Sequence, residues 1–289
     1  MPPYTLFGVR GLKYKDARIA VLPVPYDSTT CYKAGARDGP HAIIDASRNM
    51  EFYSEEFDAD PSSIGVYTLD ELEPNINSAE ETIKRIEKDV GMIVSEGKIP
   101  LLLGGEHSIT IGAQMALAKK SKDFSVLHFD AHSDSRQEYM GSRYSHACVT
   151  ARSREICGSV FSVGVRSVPQ EDAKRYVGEI LMRNKMHGMS TEEAGKLIVS
   201  KTRKKIYLTI DVDVLDPSEM PSTGTPEPDG LRFHKLTQIL KYVLQRKEVI
   251  GMDFTELSPI GGMAAPNYLV AKLAYLSIGY AFCMKKAGK

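Results

Sequence analysis

The chain has 289 residues, enough for one large buried core, and its 37 basic residues match its 37 acidic ones. That balance argues against nucleic acid or an anionic membrane surface as the main partner. Four scattered cysteines form no C-x-x-C pair, residues 1–20 carry Lys, Arg and Asp without an apolar leader core, and Asn267, Lys272 and Ser277 interrupt the most apolar stretch; together these predict a reduced, cytoplasmic protein that is neither secreted nor membrane-spanning.

Short apolar runs of strand type alternate with helical patterns along the whole chain, which predicts an α/β fold with a mostly parallel sheet. A strand at 18–25 leads into an irregular stretch at 27–40 and a helix at 41–50. A weaker strand at 64–68 precedes a helix at 78–96, which Ser78-x-x-Glu81 opens as a capping box. Strand 99–103, helix 110–120 and strand 125–129 follow, and then a long loop at 134–145. Strand 160–165, helix 191–202 and strand 205–210 come next. A second long loop at 213–231 separates them from helix 233–246, strand 249–254 and helix 267–284. With no repeat, low-complexity segment or flexible linker, residues 1–289 are read as a single domain.

The chemistry-bearing residues stand just after strands. His107 follows strand 99–103 through a Gly-Gly turn. Asp130, His132 and Asp134 follow strand 125–129, Asp211 and Asp213 follow strand 205–210, and Glu256 follows strand 249–254. Ligands of open α/β sheets bind beyond the carboxyl ends of the strands, so these groups converge. The words Asp130-x-His132-x-Asp134 and Asp211-x-Asp213 have period two, which aims successive side chains of an extended chain to one face. Alone, either word suits a polar turn or a helix cap. Together they offer more donors than one ion needs and predict two divalent metals, which activate a water for hydrolysis. The hard, oxygen-rich set with some imidazole suits Mn²⁺ best, with Zn²⁺, Co²⁺ or Fe²⁺ as alternatives, and a thiolate zinc cage is excluded.

The excess of carboxylate favours a cationic substrate. Glu256 is the candidate to hold a planar guanidinium, whose forked donors match a carboxylate. His146, on the loop beyond Asp134, is the candidate to carry a proton to a departing amine. His187 lacks a partner word and is read as a surface or packing residue. No phosphate-binding glycine motif occurs, so no nucleotide cofactor is expected.

Five blocks in order, Leu103-Gly-Gly-Glu-His-Ser108, His128-Phe-Asp-Ala-His-Ser-Asp134, Thr209-Ile-Asp-Val-Asp-Val-Leu-Asp-Pro217, Thr223-Gly-Thr-Pro-Glu-Pro228 and Gly251-Met-Asp-Phe-Thr-Glu256, resemble the arginase/agmatinase (ureohydrolase) family, and Gly35-Ala-Arg-Asp-Gly-Pro40 extends the match toward the start. The resemblance implies a three-layer α/β/α sandwich whose central, mostly parallel sheet has about eight strands. It implies two Mn²⁺ ions per chain, the first held by His107, Asp130, Asp134 and Asp211 and the second by Asp130, His132, Asp211 and Asp213, with Asp130 and Asp211 bridging. Asp134 would also orient the attacking water, Glu256 would bind the guanidinium, and His146 matches the family's proton-transfer histidine. Trimers or hexamers are the usual assembly.

Within the family, Pro226-Glu-Pro228 and Tyr139-Met-Gly-Ser-Arg-Tyr-Ser-His-Ala147 are most similar to archaeal-type agmatinases, which cleave agmatine to putrescine and urea. Two departures stand out. Glu106 replaces the usual Asp beside the first histidine. Arg136, a third candidate substrate contact beside Glu256 and His146, stands where arginases carry an Asn that helps read the substrate α-carboxylate, which argues against arginase activity. It also leaves a cation near the site meant for agmatine's terminal ammonium, unless Glu138 neutralises it. The alternatives are hydrolases of arginine, guanidinobutyrate or aminopropylagmatine, and, more remotely, a one-zinc deacetylase-like amide hydrolase, which would have no use for Asp213. A scaffold without catalysis would be marked by lost ligands, and none is lost.

Overall fold

A computed structural model describes residues 4–284. Eight strands form one sheet: β1 (Ile19–Val24), β2 (Val66–Thr68), β3 (Ile99–Gly104), β4 (Ser125–Phe129), β5 (Val160–Val165), β6 (Ile180–Met182), β7 (Lys205–Asp211) and β8 (Glu248–Thr255). Their spatial order is β2-β1-β3-β8-β7-β4-β5-β6, and every neighbouring pair is parallel. Nine α-helices are described: α1 (Gly39–Ser47), α2 (Ala79–Ser95), α3 (Ile109–Lys120), α4 (Val149–Cys157), α5 (Gln170–Arg175), α6 (Arg183–Met186), α7 (Thr191–Lys201), α8 (Phe233–Leu244) and α9 (Ala264–Ile278).

The layers follow from strand alternation. Ile19 and Val21 of β1, with Leu127 and Phe129 of β4, pack into one core with residues of α1, α7, α8 and α9. Ala20, Leu22 and Val126, of opposite parity, pack into a second core with α2, α3 and the end of α4. Covered on both faces, the strands carry continuous apolar runs and no polar face. The expected three-layer α/β/α sandwich with a parallel eight-stranded sheet is what the chain forms. No described helix is long and apolar enough to cross a membrane.

Local differences have identifiable causes. The weak strand expected over 64–68 starts at Val66, because Asp60 caps a 3₁₀ turn over Pro61–Ile64 and Gly65 breaks away at φ 93°. The last helix begins at Ala264, three residues early, since Pro266 sits in the first turn, where its missing N–H is no loss. It ends in a π turn over Gly279–Cys283. Ser78 accepts from the Glu81 N–H, but only half of the expected capping box forms, because the Glu81 carboxylate turns outward to Lys84. The full reciprocal box is at Ser190 and Glu193, opening α7, where a Ser190→Ala change would cost about 1 kcal/mol. Strand β6 and helices α4 to α6 were not anticipated. All are short, and β6 and α6 lie inside a stretch that reads as mixed.

Candidate functional site

Four central neighbours, β3, β8, β7 and β4, deliver the candidate groups to one edge of the sheet. The backbone there is exact in its demands. A Cβ on Gly105 would lie 2.2 Å from the Tyr26 carbonyl, so only glycine lets the chain turn between β3 and His107. The Glu256 N–H donates to the Gly105 carbonyl at 2.8 Å, and the Glu256 Oε1 accepts from the His107 N–H at 2.6 Å. This double tie holds Glu256 at φ 66°, and Asp134 sits at φ 46°. Left-handed backbone costs a residue such as Glu about 1–2 kcal/mol, and the surrounding bonds hold it there.

The structure brings all six expected ligand residues together. His107 Nδ1 lies 3.0 Å from Asp130 Oδ2, 3.4 Å from Asp134 Oδ2 and 3.3 Å from Asp211 Oδ2. Its other nitrogen, Nε2, is 2.7 Å from the Thr209 hydroxyl. Alongside, His132 Nδ1 lies 2.8 Å from Asp213 Oδ2 and 3.5 Å from Asp130 Oδ1. Asp130 thus turns one oxygen to each imidazole, the arrangement a bridging carboxylate requires. Backbone donors fix the remaining oxygens: Ala131 N–H to Asp213 Oδ1 at 3.0 Å, and Asp213 N–H to Asp211 Oδ1 at 2.9 Å.

These groups fit divalent ions on physical grounds. His107 Nδ1 and Asp130 Oδ2 are buried and have no hydrogen-bond partner of acceptable geometry. With Nε2 bonded to Thr209, a neutral His107 points an Nδ1 lone pair at three carboxylate oxygens, which is repulsive unless a cation lies between them. The titration behaviour agrees. Burial alone would push His107 down, yet Asp130, Asp134 and Asp211 raise it well above an ordinary imidazole. Burial and then the charges of Asp213 and Asp130 hold Asp211 well above the usual carboxylate range. Positive charge is what the cluster lacks.

One member was missed in the sequence. His128, buried in β4, stacks on His107 with ring centroids 5.0 Å apart, and its Nε2 lies 2.8 Å from Asp130 Oδ2. Its Nδ1 is 3.0 Å from the Ser162 hydroxyl. Four side chains, His107, His128, Asp130 and Asp134, gather their ligand atoms within 4.8 Å, as do Asp130, His132 and Asp213. The period-two word in fact starts at His128, since residues 128 and 130 share a face of β4, and that parity was the available signal. Held to Ser162 through Nδ1, His128 sets its Nε2 against Asp130 Oδ2 without hydrogen-bond geometry, so this nitrogen too is buried without a partner.

Above the cluster opens a cleft of about 400 Å³, lined at its floor by His132, Asp134, Asp211, Asp213 and Glu256. Burial, then the charge of Glu106, pushes Glu256 up to about 8. An incoming cation would restore its carboxylate form. Gly224 leaves room beside it, for a Cβ there would lie 3.8 Å from Glu256 Oε2 and 3.0 Å from the Lys33 carbonyl. His146 lines the wall and stands edge-on to Tyr139 at 5.9 Å. Burial lowers its pKa and so favours the neutral ring. Arg136 is exposed at the rim, stacked over Tyr139 at 5.1 Å. Among the described residues no carboxylate pairs with it, so Glu138 does not neutralise it. Cys31 is an exposed wall residue of the cleft, unlike the buried Cys148 and Cys157. His187 makes a surface contact with Asp229 at 2.8 Å and takes no part in the site.

Comparison with known proteins agrees with this geometry. The model of the arginase family matches residues 17–278. The chain belongs to the arginase family. Its sequence is 37% identical over 279 residues to an N(1)-aminopropylagmatine ureohydrolase of Thermus thermophilus, covering 95% of this chain and 94% of that protein. It is 35% identical to an agmatinase of Pyrococcus horikoshii, covering 92% of each. Among solved structures, the agmatine ureohydrolase of Thermoplasma volcanium superposes with a TM-score of 0.88 at 31% identity, covering 98% of this chain and 96% of that one. The arginase-family chain described here is a hydrolase by that membership.

Proposed function

We propose that this hydrolase removes urea from the guanidino group of a small cationic amine, with agmatine giving putrescine as the leading case. The observation that carries it is the pair of imidazole–carboxylate groups sharing Asp130, open to a cleft beside the buried Glu256. The second group, through His132 and Asp213, is one that a single-zinc amide hydrolase would not need. His107, Asp130, His132, Asp134, Asp211 and Asp213 would hold two Mn²⁺ ions. The chemistry such a pair supplies is a water acidified toward neutral pH for attack on an electrophilic carbon.

The chain's own residues do the rest. Glu256 receives the guanidinium through two parallel N–H···O contacts and sets the plane of its carbon against the floor. Asp134, at the edge of the cluster, holds the attacking water in line by accepting its hydrogen bond. His146, neutral before reaction, takes up a proton and passes it to the departing nitrogen, which leaves as an amine. The rim of Arg136, Tyr139 and Lys33 meets the tail of the substrate. A trimer or hexamer in the cytoplasm is the assembly this reading carries with it.

A second reading, aminopropylagmatine as substrate, is favoured by the names of several relatives that match nearly the whole chain at 34–37% identity. Both substrates present the same guanidinium to Glu256 and differ only beyond the reacting carbon. The deciding experiment is urea release from agmatine, aminopropylagmatine, arginine and guanidinobutyrate, with metal content measured on the same sample. Release from at least one amine-tailed compound, lost on chelation and restored by Mn²⁺, is expected. Undiminished activity in stripped protein would overturn the reading.

A further inference from the structure

Beneath the proton-carrying wall of the cleft is a polar chain that neither metal binding nor guanidinium binding uses. Glu106 is fully buried in the turn after β3. Its Oε2 accepts from the Thr29 backbone N–H at 2.6 Å, and its Oε1 accepts from the Thr29 hydroxyl at 2.5 Å and the Ser108 hydroxyl at 2.5 Å. Burial pushes Glu106 up to about 7 against the pull of these donors; in its carboxylate form it is an acceptor only, and the single proton of the Thr29 hydroxyl is then committed to it. Toward every other neighbour Thr29 Oγ1 can therefore only accept. Those neighbours both belong to His146: its backbone N–H donates to Oγ1 at 3.0 Å, and its Nδ1 lies 3.3 Å from the same oxygen.

The consequence is a choice of tautomer. If Nδ1 carried a lone pair, it would face the lone pairs of Thr29 Oγ1. If Nδ1 carries the proton, it is shared between Thr29 Oγ1 and the Ser145 hydroxyl oxygen, which also lies 3.3 Å away and whose other lone pair takes the Ala147 N–H. The second arrangement gives Nδ1–H two acceptors and removes the clash of lone pairs with Thr29, which in the first only a hydrogen bond donated by the Ser145 hydroxyl would offset. It leaves Nε2, which has no hydrogen-bond partner among the described residues, as the nitrogen with the free lone pair on the cleft wall.

We propose that Thr29, anchored by Glu106, is a positioning residue that locks His146 in the Nδ1–H tautomer so that Nε2 alone carries the travelling proton. The proton arrives on Nε2, the same proton leaves to the departing amine nitrogen, and the Nδ1–H and the carboxylate of Glu106 are unchanged throughout. This deepens the reading of His146 as proton carrier and rests on it.

The test is a double-mutant cycle on the Mn²⁺-loaded full chain, following urea release. Thr29→Val keeps the shape and removes the hydroxyl, and is expected to lower kcat about 10–100-fold, the range for residues that orient a functional group, with KM within about twofold and metal content unchanged. Thr29→Ser, which restores the oxygen, should recover most of the rate and also serves if the valine variant folds poorly. The diagnostic is non-additivity: in a His146→Ala background, Thr29→Val should cost nothing more. An equal further loss in that background, or an unchanged kcat in Thr29→Val alone, overturns the positioning role. A wild-type rate in His146→Ala brings down the proton-carrier reading itself, and the positioning role with it, which separates the two failures.

Discussion

The floor and the rim of the cleft are built by opposite means. The floor is strand-borne: Asp130, His107 and Asp211 are buried, their side chains are tied to backbone N–H groups or neighbouring side chains, and the strands that lead to them lie among the four central strands of one parallel sheet. The rim is loop-borne: Tyr32 is 80% exposed, and the Arg136 side chain has only a ring to lean on. Rigid elements give the sub-ångström placement that reaction chemistry demands, whereas exposed loops tolerate change and suit selection among tails. The floor therefore speaks to the reaction and the rim to the substrate.

The sharpest way to break this division is at the floor carboxylates. Asp130→Asn or Asp213→Asn should abolish urea release from every guanidino compound alike, with metal content by elemental analysis falling below two per chain. A variant that lost one substrate and kept another would refute the assignment of these residues to the floor. One step behind, His128→Phe keeps the stack on His107 but removes the nitrogen facing Asp130. Its Mn²⁺ affinity, measured by chelator competition, should fall about 10–100-fold while the fold survives. An unchanged affinity would make His128 a packing residue only.

The smallest effect belongs to the rim. Arg136→Asn removes one exposed charge, an effect of about 1 kcal/mol or roughly fivefold in the ratio of kcat/KM between amine-tailed and carboxylate-tailed substrates, in favour of the amine. Melting temperatures should barely move, since exposed substitutions stay within about 0.5 kcal/mol. If instead the rate fell equally for all substrates, Arg136 would belong to the reaction and not to selection.

Much of the floor was legible because it is local. Period-two spacing at Asp130, His132 and Asp134 and at Asp211 and Asp213 is a property of an extended backbone, and the strand before each word is a continuous apolar run. His128 was overlooked for an equally physical reason: inside a buried strand an imidazole reads as packing unless its parity with Asp130 is checked. Thr29 and Glu106 could not be paired from the sequence, because 77 positions separate them and nothing in either segment announces the other. Whether Glu138 neutralises Arg136 was open in the sequence, and loop geometry turns the guanidinium to Tyr139 instead.

By itself, then, the amino-acid sequence determined the alternation of strands and helices, the strand ends at which acidic and imidazole groups fall, and through their excess of negative charge the demand for cations. Those properties are set by neighbours a few residues apart. The tertiary structure alone decided that Asp130 turns Oδ2 to His107, that His107 turns its Nδ1 to three carboxylates, and that Thr29 stands between Glu106 and His146. Those are long-range meetings, made by the order in which the parallel strands are laid side by side and not by any stretch of chain.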